Sequence, residues 1–439
     1  MTDPATARSD VTAINKIRRL SSQALLAGMI GNILEWYDFG LYGYLAPVIG
    51  AHFFPSTNPI ASLLGAYGGF AIGFAVRPLG GAVLGHIGDR VGRKAVLITS
   101  VVLMGVATSA IGVLPTYQQV GLWAPALLLV VRIFQGFSVG GEFTGSVSYL
   151  IETSPRHRRG IAGSFANIGS TGGYLLAAAA ATGTVLLSAH DPHLQWAWRV
   201  PFLGGGIIAV LAYWMRTNLS HRGYEPDPTD DDDEPRELPI KQAFTQAPRA
   251  MVLAILFTWG YGVADYLTLV FLPTFASKFG HLASGSALAI NTIGEGVAIC
   301  AIPIAGWLTD RVLRRRTMLI LAFTLIFCAA IGFFVLAGRG APVAFALAQF
   351  GFAIFLGMIM GSAPAMLAEQ FPSEFRLSGY SLSFNVGLGF GGGTAPLIAT
   401  ALIGASGFGL AAAGYLMLGA LLSIGALALM PDRSREPLL

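Results

Sequence analysis

The sequence predicts an all-α polytopic membrane protein, with twelve transmembrane helices in two pseudo-symmetric six-helix bundles. Of its 439 residues, 54% are hydrophobic and only 11% are charged. Soluble chains carry roughly 25% charged residues, and a chain with less than half that share cannot cover a water-soluble globule. The 56 glycines lie largely within apolar runs, where small residues let helices pack closely in lipid. A soluble globular protein and a disordered chain are therefore excluded.

Twelve apolar stretches are long enough to cross a bilayer, which takes about 20 mostly apolar residues. We number them spans 1 to 12. They lie at residues 22–50, 60–85, 95–115, 122–151, 161–188, 196–215, 250–277, 284–308, 318–337, 342–367, 377–403 and 407–430. The first is too long for a signal-peptide core, so we expect it to stay attached as an anchor. Because the only cysteines, Cys300 and Cys328, lie in apolar segments, the sequence predicts no disulfide framework, no metal site and no cofactor.

The lysines and arginines predict the orientation. Two arginines lie within spans; of the others, 22 fall on one side of the predicted membrane and three on the other. The positive-inside rule then places both termini in the cytoplasm. Trp123, Trp196 and Trp198 fall at predicted outer ends, where we expect them to join an aromatic belt.

A long polar stretch divides the chain into an N-terminal bundle (1–215), a linker (216–249) and a C-terminal bundle (250–439). The linker is acidic and rich in proline, without apolar periodicity. This composition is typical of a solvated cytoplasmic connection, and a regulatory role is the alternative. 

The two bundles carry matching motifs. Gly-x-x-x-Asp-Arg occurs after spans 2 and 8 at an offset of 221 residues, and Glu-x-x-Pro-x-x-x-Arg occurs after spans 4 and 10 at an offset of 217. Asp38 and Pro47 of span 1 correspond to Asp265 and Pro273 of span 7. Two halves of like topology imply a two-fold axis along the membrane normal and a binding site between the halves. Such an architecture rocks to move a small molecule across the membrane.

Four segments carry a resemblance to a known family. The segment 85–94, GHIGDRVGRK, resembles the loop 2–3 signature of the major facilitator superfamily. The segments 35–43 (EWYDFGLYG), 77–81 (RPLGG) and 132–142 (RIFQGFSVGGE) are similar to the metabolite:proton symporter family. The resemblance implies transport of citrate and other organic acids, α-ketoglutarate, shikimate, or proline and betaine. It also implies the major facilitator fold and a bacterial inner membrane.

The resemblance further implies a cytoplasmic gate at the loop motifs. Asp89 can accept hydrogen bonds from a neighbouring helix N-terminus and from Arg93. The alternative, for the basic residues Arg90 and Lys94, is that they only enforce topology. The second loop motif departs from this signature, because it ends in Arg314-Arg315-Arg316 instead of Gly-Arg-Lys. The predicted gate residues are Gly85, Asp89, Arg90, Arg93, Glu152, Arg159, Asp310, Arg311, Glu369 and Arg376.

Seven ionisable residues fall within the predicted spans. They are Glu35, Asp38, Arg77, Arg132, Glu142, Asp265 and Glu295. A charge near the centre of a membrane helix costs about 2.5 to 3.5 kcal/mol, so these groups must be paired, hydrated or neutral. Five are acids and two are arginines, so one-to-one pairing leaves three carboxyls without an arginine. A carboxyl whose partner changes as the halves rock would take up and release a proton, and all five are candidates for proton coupling.

Helical spacing indicates which polar groups share a face. Asn32, Glu35, Asp38 and Tyr42 form one stripe on span 1, which faces a cavity or makes a static helix contact. Arg77 has three alternative roles: it binds an anion, it pairs with a span-1 carboxylate, or it belongs to a purely structural ion pair. Arg132, Gln135 and Glu142 lie near one face of span 4, with Glu142 serving in coupling or in the gate. The predicted substrate contacts are Asn32, Tyr42, Arg77, Arg132, Gln135, Tyr261, Asn385 and, with its proton role, Asp265.

The sequence therefore predicts a monomeric secondary transporter that imports a small organic acid together with protons, by alternating access. The alternatives are symport of a zwitterion such as proline or betaine, and proton-coupled efflux. Span 5 lacks the Gly-Pro pair that antiporter members carry, which weakens the efflux hypothesis. An enzyme is not predicted, because no histidine lies within a span and no His-Glu-x-x-His motif occurs. Nucleic acid is not an expected partner.

Overall fold

In the part of the chain that the structure describes, the protein folds as a set of apolar helices, with one to three in each of the twelve predicted spans. We analysed a computed structural model, which describes residues 32–91, 93–139, 142–219 and 239–438. Ten helices in this part of the chain are long and apolar enough to cross a membrane. Span 3 has a shorter apolar run, Ile98–Val113, and span 1 is described from residue 32.

The helices of spans 1–6, here called the first half, precede the linker. They are 32–44, Ala46–Phe53, Pro59–Val91, Arg93–Val113, Trp123–Ser138, Glu142–Glu152, Arg159–His190 and Arg199–Leu219. Short helices Tyr117–Val120, Arg156–Arg158 and Pro192–Trp198 connect them. The helix of span 6 continues to Leu219, so it extends into the predicted linker.

Spans 7–12 form the second half. Their helices are Pro248–Asp265, Tyr266–Phe271, Leu272–Lys278, Ser284–Arg311, Arg315–Ala337, Pro342–Ala368, Arg376–Ser406 and Ala411–Leu429. The segment Tyr266–Phe271 is a π-helix inside span 7, a feature found frequently at functional sites. A short helix, Pro239–Gln246, lies within the predicted linker, so the linker is not irregular throughout.

The halves contact each other at both ends of the molecule. One end of the molecule carries the loops after spans 2, 4, 8 and 10, and we call it the charged end. There, a Cβ atom added to Gly306 would lie 2.8 Å from the carbonyl oxygen of Gly160. At the opposite end, a side chain on Gly404 would lie 2.9 Å from Ile60, and one on Gly285 would lie 2.5 Å from Leu186. At Gly306 the neighbour is backbone, so a methyl group there would push the two helices apart. The structure is therefore a closed conformation.

One of the three belt tryptophans lies elsewhere than expected. Trp123 and Trp196 are exposed, but Trp198 is only 2% exposed. Its ring stacks on His52 with centroids 5.2 Å apart, and the guanidinium carbon of Arg199 lies 4.5 Å from it. Sequence position alone could not separate a residue at the membrane surface from one packed beneath span 1.

Candidate functional site

Arg77 lies at the interface between the halves, on span 2. Its Nη1 is 3.6 Å from Oε1 of Glu35 on span 1, and its guanidinium carbon lies 3.9 and 4.1 Å from the ring centroids of Phe39 and Phe74. Among the described residues, its Nε and Nη2 have no hydrogen-bond partner, although the side chain is almost fully buried. The guanidinium can therefore bind a further anion.

A cavity of about 10 Å³ separates this pair from span 11. Its lining includes Glu35 and Arg77 from the first half and Phe384 and Asn385 from the second. That volume holds about one water molecule, so a substrate requires the halves to move apart. Asn385 donates to the carbonyl oxygen of Ser381 on its own helix at 2.9 Å.

Asp38 and Arg132 form a second buried pair, inside the first half. Nη1 of Arg132 is 3.6 Å from Oδ2 of Asp38 and donates to Oε1 of Gln135 at 2.7 Å. Gln135 donates in turn to Oδ1 of Asp38 at 2.7 Å, and Thr108 donates to the same oxygen at 2.8 Å. The ring of Tyr42 covers Arg132, with 3.5 Å between the guanidinium carbon and the ring centroid. This pair has no direct access to the central cavity in the closed conformation.

The span-1 stripe thus contacts several neighbours. Asn32 donates to Ser146 on span 4 at 3.2 Å, and the hydroxyl of Tyr42 donates to the carbonyl oxygen of Ala66 on span 2 at 3.0 Å. Of the four stripe residues, Glu35 is the one that lines the cavity between the halves.

Two carboxyls of the second half are buried with no cation beside them among the residues that the structure describes. Asp265 ends the first helix of span 7 and is 1% exposed. In the described part of the chain, its Oδ1 has no hydrogen-bond partner. Glu295 on span 8 is fully buried and accepts a hydrogen bond from the hydroxyl of Tyr44 at 2.6 Å. Tyr261, one turn before Asp265, packs edge-on against Phe384 with ring centroids 6.4 Å apart.

Four aromatic rings connect these carboxyls to Arg77, and we call them the aromatic bridge. Its members are Tyr44, Tyr174, Tyr266 and Phe74. Their successive ring centroids lie 6.4, 6.3 and 5.3 Å apart, all edge to face. Phe74 lies against Arg77, and Tyr266 follows Asp265 in the chain. The arrangement places the Arg77 guanidinium at one end of a buried aromatic surface and the Glu295 carboxyl at the other, with Asp265 next to the third ring, Tyr266.

The charged end carries a network of ion pairs across the halves. Asp310 accepts hydrogen bonds from the backbone N–H groups of Gly160 and Ile161, at 2.8 and 2.9 Å. This contact uses the positive N-terminus of the span-5 helix. Arg159 lies 3.5 Å from Glu369.

Two further contacts involve Arg315, which donates to Glu369 at 2.8 Å and to Asp310 at 3.1 Å. We call Glu152, Arg159, Asp310, Arg315, Glu369 and Arg376 the charged-end cluster. Burial raises the pKa of Glu369, which directly follows the helix Pro342–Ala368, to about 7, although Arg315 and Arg159 oppose this shift. Arg311 is exposed.

The structure does not describe all of the predicted site. The backbone is described at Gly85, Asp89, Arg90, Arg93 and Glu142, but the side chains and their surroundings at these positions lie outside what the structure describes, so their gate and coupling roles remain predictions.

Sequence reasoning missed Arg315, Tyr44 and Thr108. Arg315 lies in a run of three arginines that resembles an orientation signal. It also lies 221 residues after Lys94, the same offset as the first repeated motif, and this register could have identified it. Tyr44 lies off the polar stripe of span 1, and no pattern in the sequence marks Thr108.

A buried charged site between two halves of a twelve-span helical protein defines a membrane transporter. The family model of the Major Facilitator Superfamily matches residues 28–337 and 255–438. The chain therefore belongs to the major facilitator superfamily, which confirms the predicted fold class and the expectation that the protein is not an enzyme.

Curated relatives extend the match along most of the chain. The inner membrane metabolite transport protein YhjE of Escherichia coli is 34% identical over 91% of this chain and 93% of its own length. The proline/betaine transporter of Salmonella typhimurium is 31% identical over 98% of this chain and 87% of its own length. A putative proline/betaine transporter of Staphylococcus aureus is 33% identical over 90% and 85%, respectively. These likenesses support the resemblance to metabolite symporters.

Solved structures share the fold. The proton:xylose symporter XylE bound to 6-bromo-6-deoxy-D-glucose superposes with a TM-score of 0.73 at 16% identity, covering 95% of this chain and 97% of its own. At that identity the likeness concerns the fold.

Proposed function

We propose that the protein is a proton-coupled symporter that imports a small zwitterion carrying a carboxylate and an ammonium group, such as proline or betaine. The observation that carries the proposal is the separation of charge across the interface. Among the described residues, Arg77 offers free N–H groups on Nε and Nη2 at one end of the aromatic bridge. Glu295 lies without a cation at the other end, and Asp265 lies without one beside Tyr266. A zwitterion carries a carboxylate for Arg77 and an ammonium group for a carboxyl that has no cation.

The aromatic bridge favours the zwitterion over an organic acid. Aromatic faces attract alkylated ammonium groups, whereas a di- or tricarboxylate would be repelled by Asp265 when that carboxyl is ionised. The names of the relatives in Salmonella and Staphylococcus support the same choice. Symport of an organic acid, which we favoured from the sequence, becomes the second candidate, and binding of the acid would depend on Arg77 and Arg132 alone.

Proton coupling follows from the imbalance of charge. Arg77 and Arg132 each lie beside one carboxyl, Glu35 and Asp38 respectively. Asp265 and Glu295 have no arginine beside them in the described residues, so their protonation can change during the cycle. A zwitterion moving with one proton carries one net positive charge. The membrane potential supplies about 2.3 kcal/mol per charge per 100 mV, enough for roughly 50-fold accumulation.

In the proposed cycle, the two halves rock around the aromatic bridge. The charged end is the cytoplasmic end, and both termini lie on that side, as the distribution of basic residues predicts. Opening towards the cytoplasm separates Arg159 from Glu369 and Arg376 from Glu152. The bundles comprise residues 1–215 and 250–439, the linker 216–249 lies in the cytoplasm, and a monomer in the inner membrane is the functional unit.

A binding screen tests the substrate class. The purified protein is melted in mild detergent with proline, betaine, citrate, α-ketoglutarate or shikimate, and binding is measured as a rise in melting temperature. Proline or betaine should raise it and the acids should not. Asp265→Asn should weaken binding of the zwitterion. Arg199→Lys, which lies at the end of the molecule opposite the charged end, serves as a control. A larger shift with citrate or α-ketoglutarate that survives Asp265→Asn would favour the organic acid.

A further inference from the structure

Tyr44 and Glu295 form a hydrogen bond between the two halves, within the membrane. Tyr44 lies on span 1 and is 3% exposed, and Glu295 lies on span 8 and is fully buried. The hydroxyl of Tyr44 donates to Oε1 of Glu295 at 2.6 Å. Among the described residues, Oε2 of Glu295 has no hydrogen-bond partner. The bond must break whenever spans 1 and 8 separate.

The surroundings of Glu295 offer no positive charge. The Asp265 carboxyl on span 7 is close enough to interact with it electrostatically. Span 5 contributes Tyr174, whose ring packs edge-on against Tyr44. Span 10 contributes the neutral Gln349, which packs on the neighbouring Gly294 and donates to Asn291 at 2.7 Å. Within the described chain, no lysine, arginine or histidine lies in salt-bridge range of Glu295.

Closure around an ionised Glu295 is therefore unfavourable. Removing a carboxylate from water without a counter-ion costs more than one hydrogen bond returns, and the nearby Asp265 adds repulsion when it is ionised. A protonated Glu295 avoids both costs. Its Oε1 still accepts from Tyr44, and the proton is carried on Oε2, the oxygen that has no other partner.

We propose that the Tyr44–Glu295 pair is a proton-dependent latch, which lets the halves close at the end opposite the charged end only when Glu295 is protonated. The proposal rests on the proposed function for its purpose in transport. Tyr44 acts as a positioning residue, since its hydroxyl holds the neutral carboxyl across the interface. A symporter with this latch cannot close on an unprotonated site, so substrate does not move inward without a proton.

Distance measurements without substrate test the latch. Spin labels are attached to Thr57→Cys and Ala405→Cys, two exposed positions beside the contact between Ile60 and Gly404. The background is Cys300→Ser/Cys328→Ser, and electron–electron resonance measures the distance between the labels from pH 5 to pH 9. The wild type should show mostly the short distance at pH 5 and a longer one at pH 9. Glu295→Gln, which mimics the protonated group, should show the short distance throughout.

Tyr44→Phe removes the hydroxyl and keeps the ring, so it tests the hydrogen bond to Glu295 alone. Loss of one hydrogen bond should lower the ratio of closed to open molecules at pH 5 about five-fold. Tyr380→Phe is the matched control, because Tyr380 is also buried and its hydroxyl has no partner in the described residues; its ratio should stay at the wild-type value. A wild-type distance that does not change with pH, a Glu295→Gln variant that keeps the wild-type pH dependence, or a Tyr44→Phe variant identical to wild type would each overturn the latch.

The measurement is independent of the substrate class. If proline and betaine fail to bind while the substrate-free distances change with pH as expected, the proposed substrate is wrong and the latch stands. If they bind and the distances do not respond to pH, the latch is wrong and the substrate assignment stands.

Discussion

Nη1 of Arg376 lies 2.7 Å from Oε1 of Glu152, on the other half of the protein. The repeat offset of 217 residues relates this pair to a second one, Arg159 of the first half and Glu369 of the second. Nη1 of Arg159 lies 3.5 Å from Oε1 of Glu369. The two pairs differ in burial, because Glu152 is 46% exposed and Glu369 is 2% exposed. The same repeated motif thus yields a hydrated contact on one side of the pseudo-symmetry axis and a buried cluster on the other.

This asymmetry predicts unequal effects of removing the cations. Arg315→Met leaves Glu369 and Asp310 buried with less compensation, so it should lower the free energy of unfolding by about 3 to 5 kcal/mol. Arg376→Met leaves Glu152 in water and removes the donor to the carbonyl oxygen of Phe371, so it should cost less, about 1 to 2 kcal/mol. Chemical unfolding in mild detergent measures both. Equal losses for the two variants would show that burial does not control the strength of the cluster.

The charged-end cluster should also make stability depend on pH. The pKa of Glu369 rises from 4.5 to about 7 on burial, so between these values the native protein binds more protons than the unfolded chain. The free energy of unfolding should therefore fall as the pH rises from about 4.5 to 7. Melting temperatures across this range should decline less steeply for Glu369→Gln. A variant with the wild-type slope would assign the pH dependence to other groups.

Removing the carboxyl from the Asp38–Arg132 pair should abolish proton coupling but leave the movement of substrate intact. Asp38→Asn removes the ionisable group but retains a polar side chain beside Thr108 and Gln135. Accumulation driven by a pH gradient should fall to the background level, while exchange of external for internal substrate continues. Thr108→Val, which removes a hydrogen bond to Asp38 but leaves the carboxyl, is the matched control and should retain gradient-driven uptake. Full accumulation by Asp38→Asn would exclude this carboxyl from coupling.

The crossing of spans 2 and 4 predicts a strict requirement for glycine. A methyl group on Gly136 would meet the carbonyl oxygen of Gly73, which belongs to a helix backbone and cannot move aside. Gly136→Ala should lower the free energy of unfolding by about 1 to 3 kcal/mol. Gly68→Ala, which faces open space on the same span 2, should leave it unchanged within about 0.5 kcal/mol. Similar values for both would show that the close crossing does not limit stability.

The sequence predicted the number of spans and the excess of buried acids over arginines, but not which acid pairs with which arginine. Hydropathy locates apolar helices because each must cross the same thickness of lipid. Counting five acids against two arginines showed that some carboxyls lack a cation. The spacing of Glu35 and Asp38 gave their face on span 1 without showing that Glu35 meets Arg77 at the interface and Asp38 meets Arg132 inside the first half. Helical periodicity describes one helix, whereas pairing depends on how helices cross.

Contacts between distant elements were the least predictable. Tyr44 and Glu295 are 251 residues apart, and Tyr44 lies in a run of aromatic residues that resembles ordinary core. The π-helix at Tyr266–Phe271 also has no sequence signal that we recognised. The repeated motifs were more informative, since their common register aligns Arg315 with Lys94 and Arg376 with Arg159.

Uptake into proteoliposomes tests the central claim most directly. The purified protein is reconstituted, the membrane potential is clamped at zero, and radiolabelled proline or betaine is supplied outside with the interior made alkaline. The account predicts accumulation above the external concentration, which collapses when a protonophore is added and is absent in Asp265→Asn. Entry that only equilibrates, at the same rate with and without the proton gradient, would contradict proton-coupled symport.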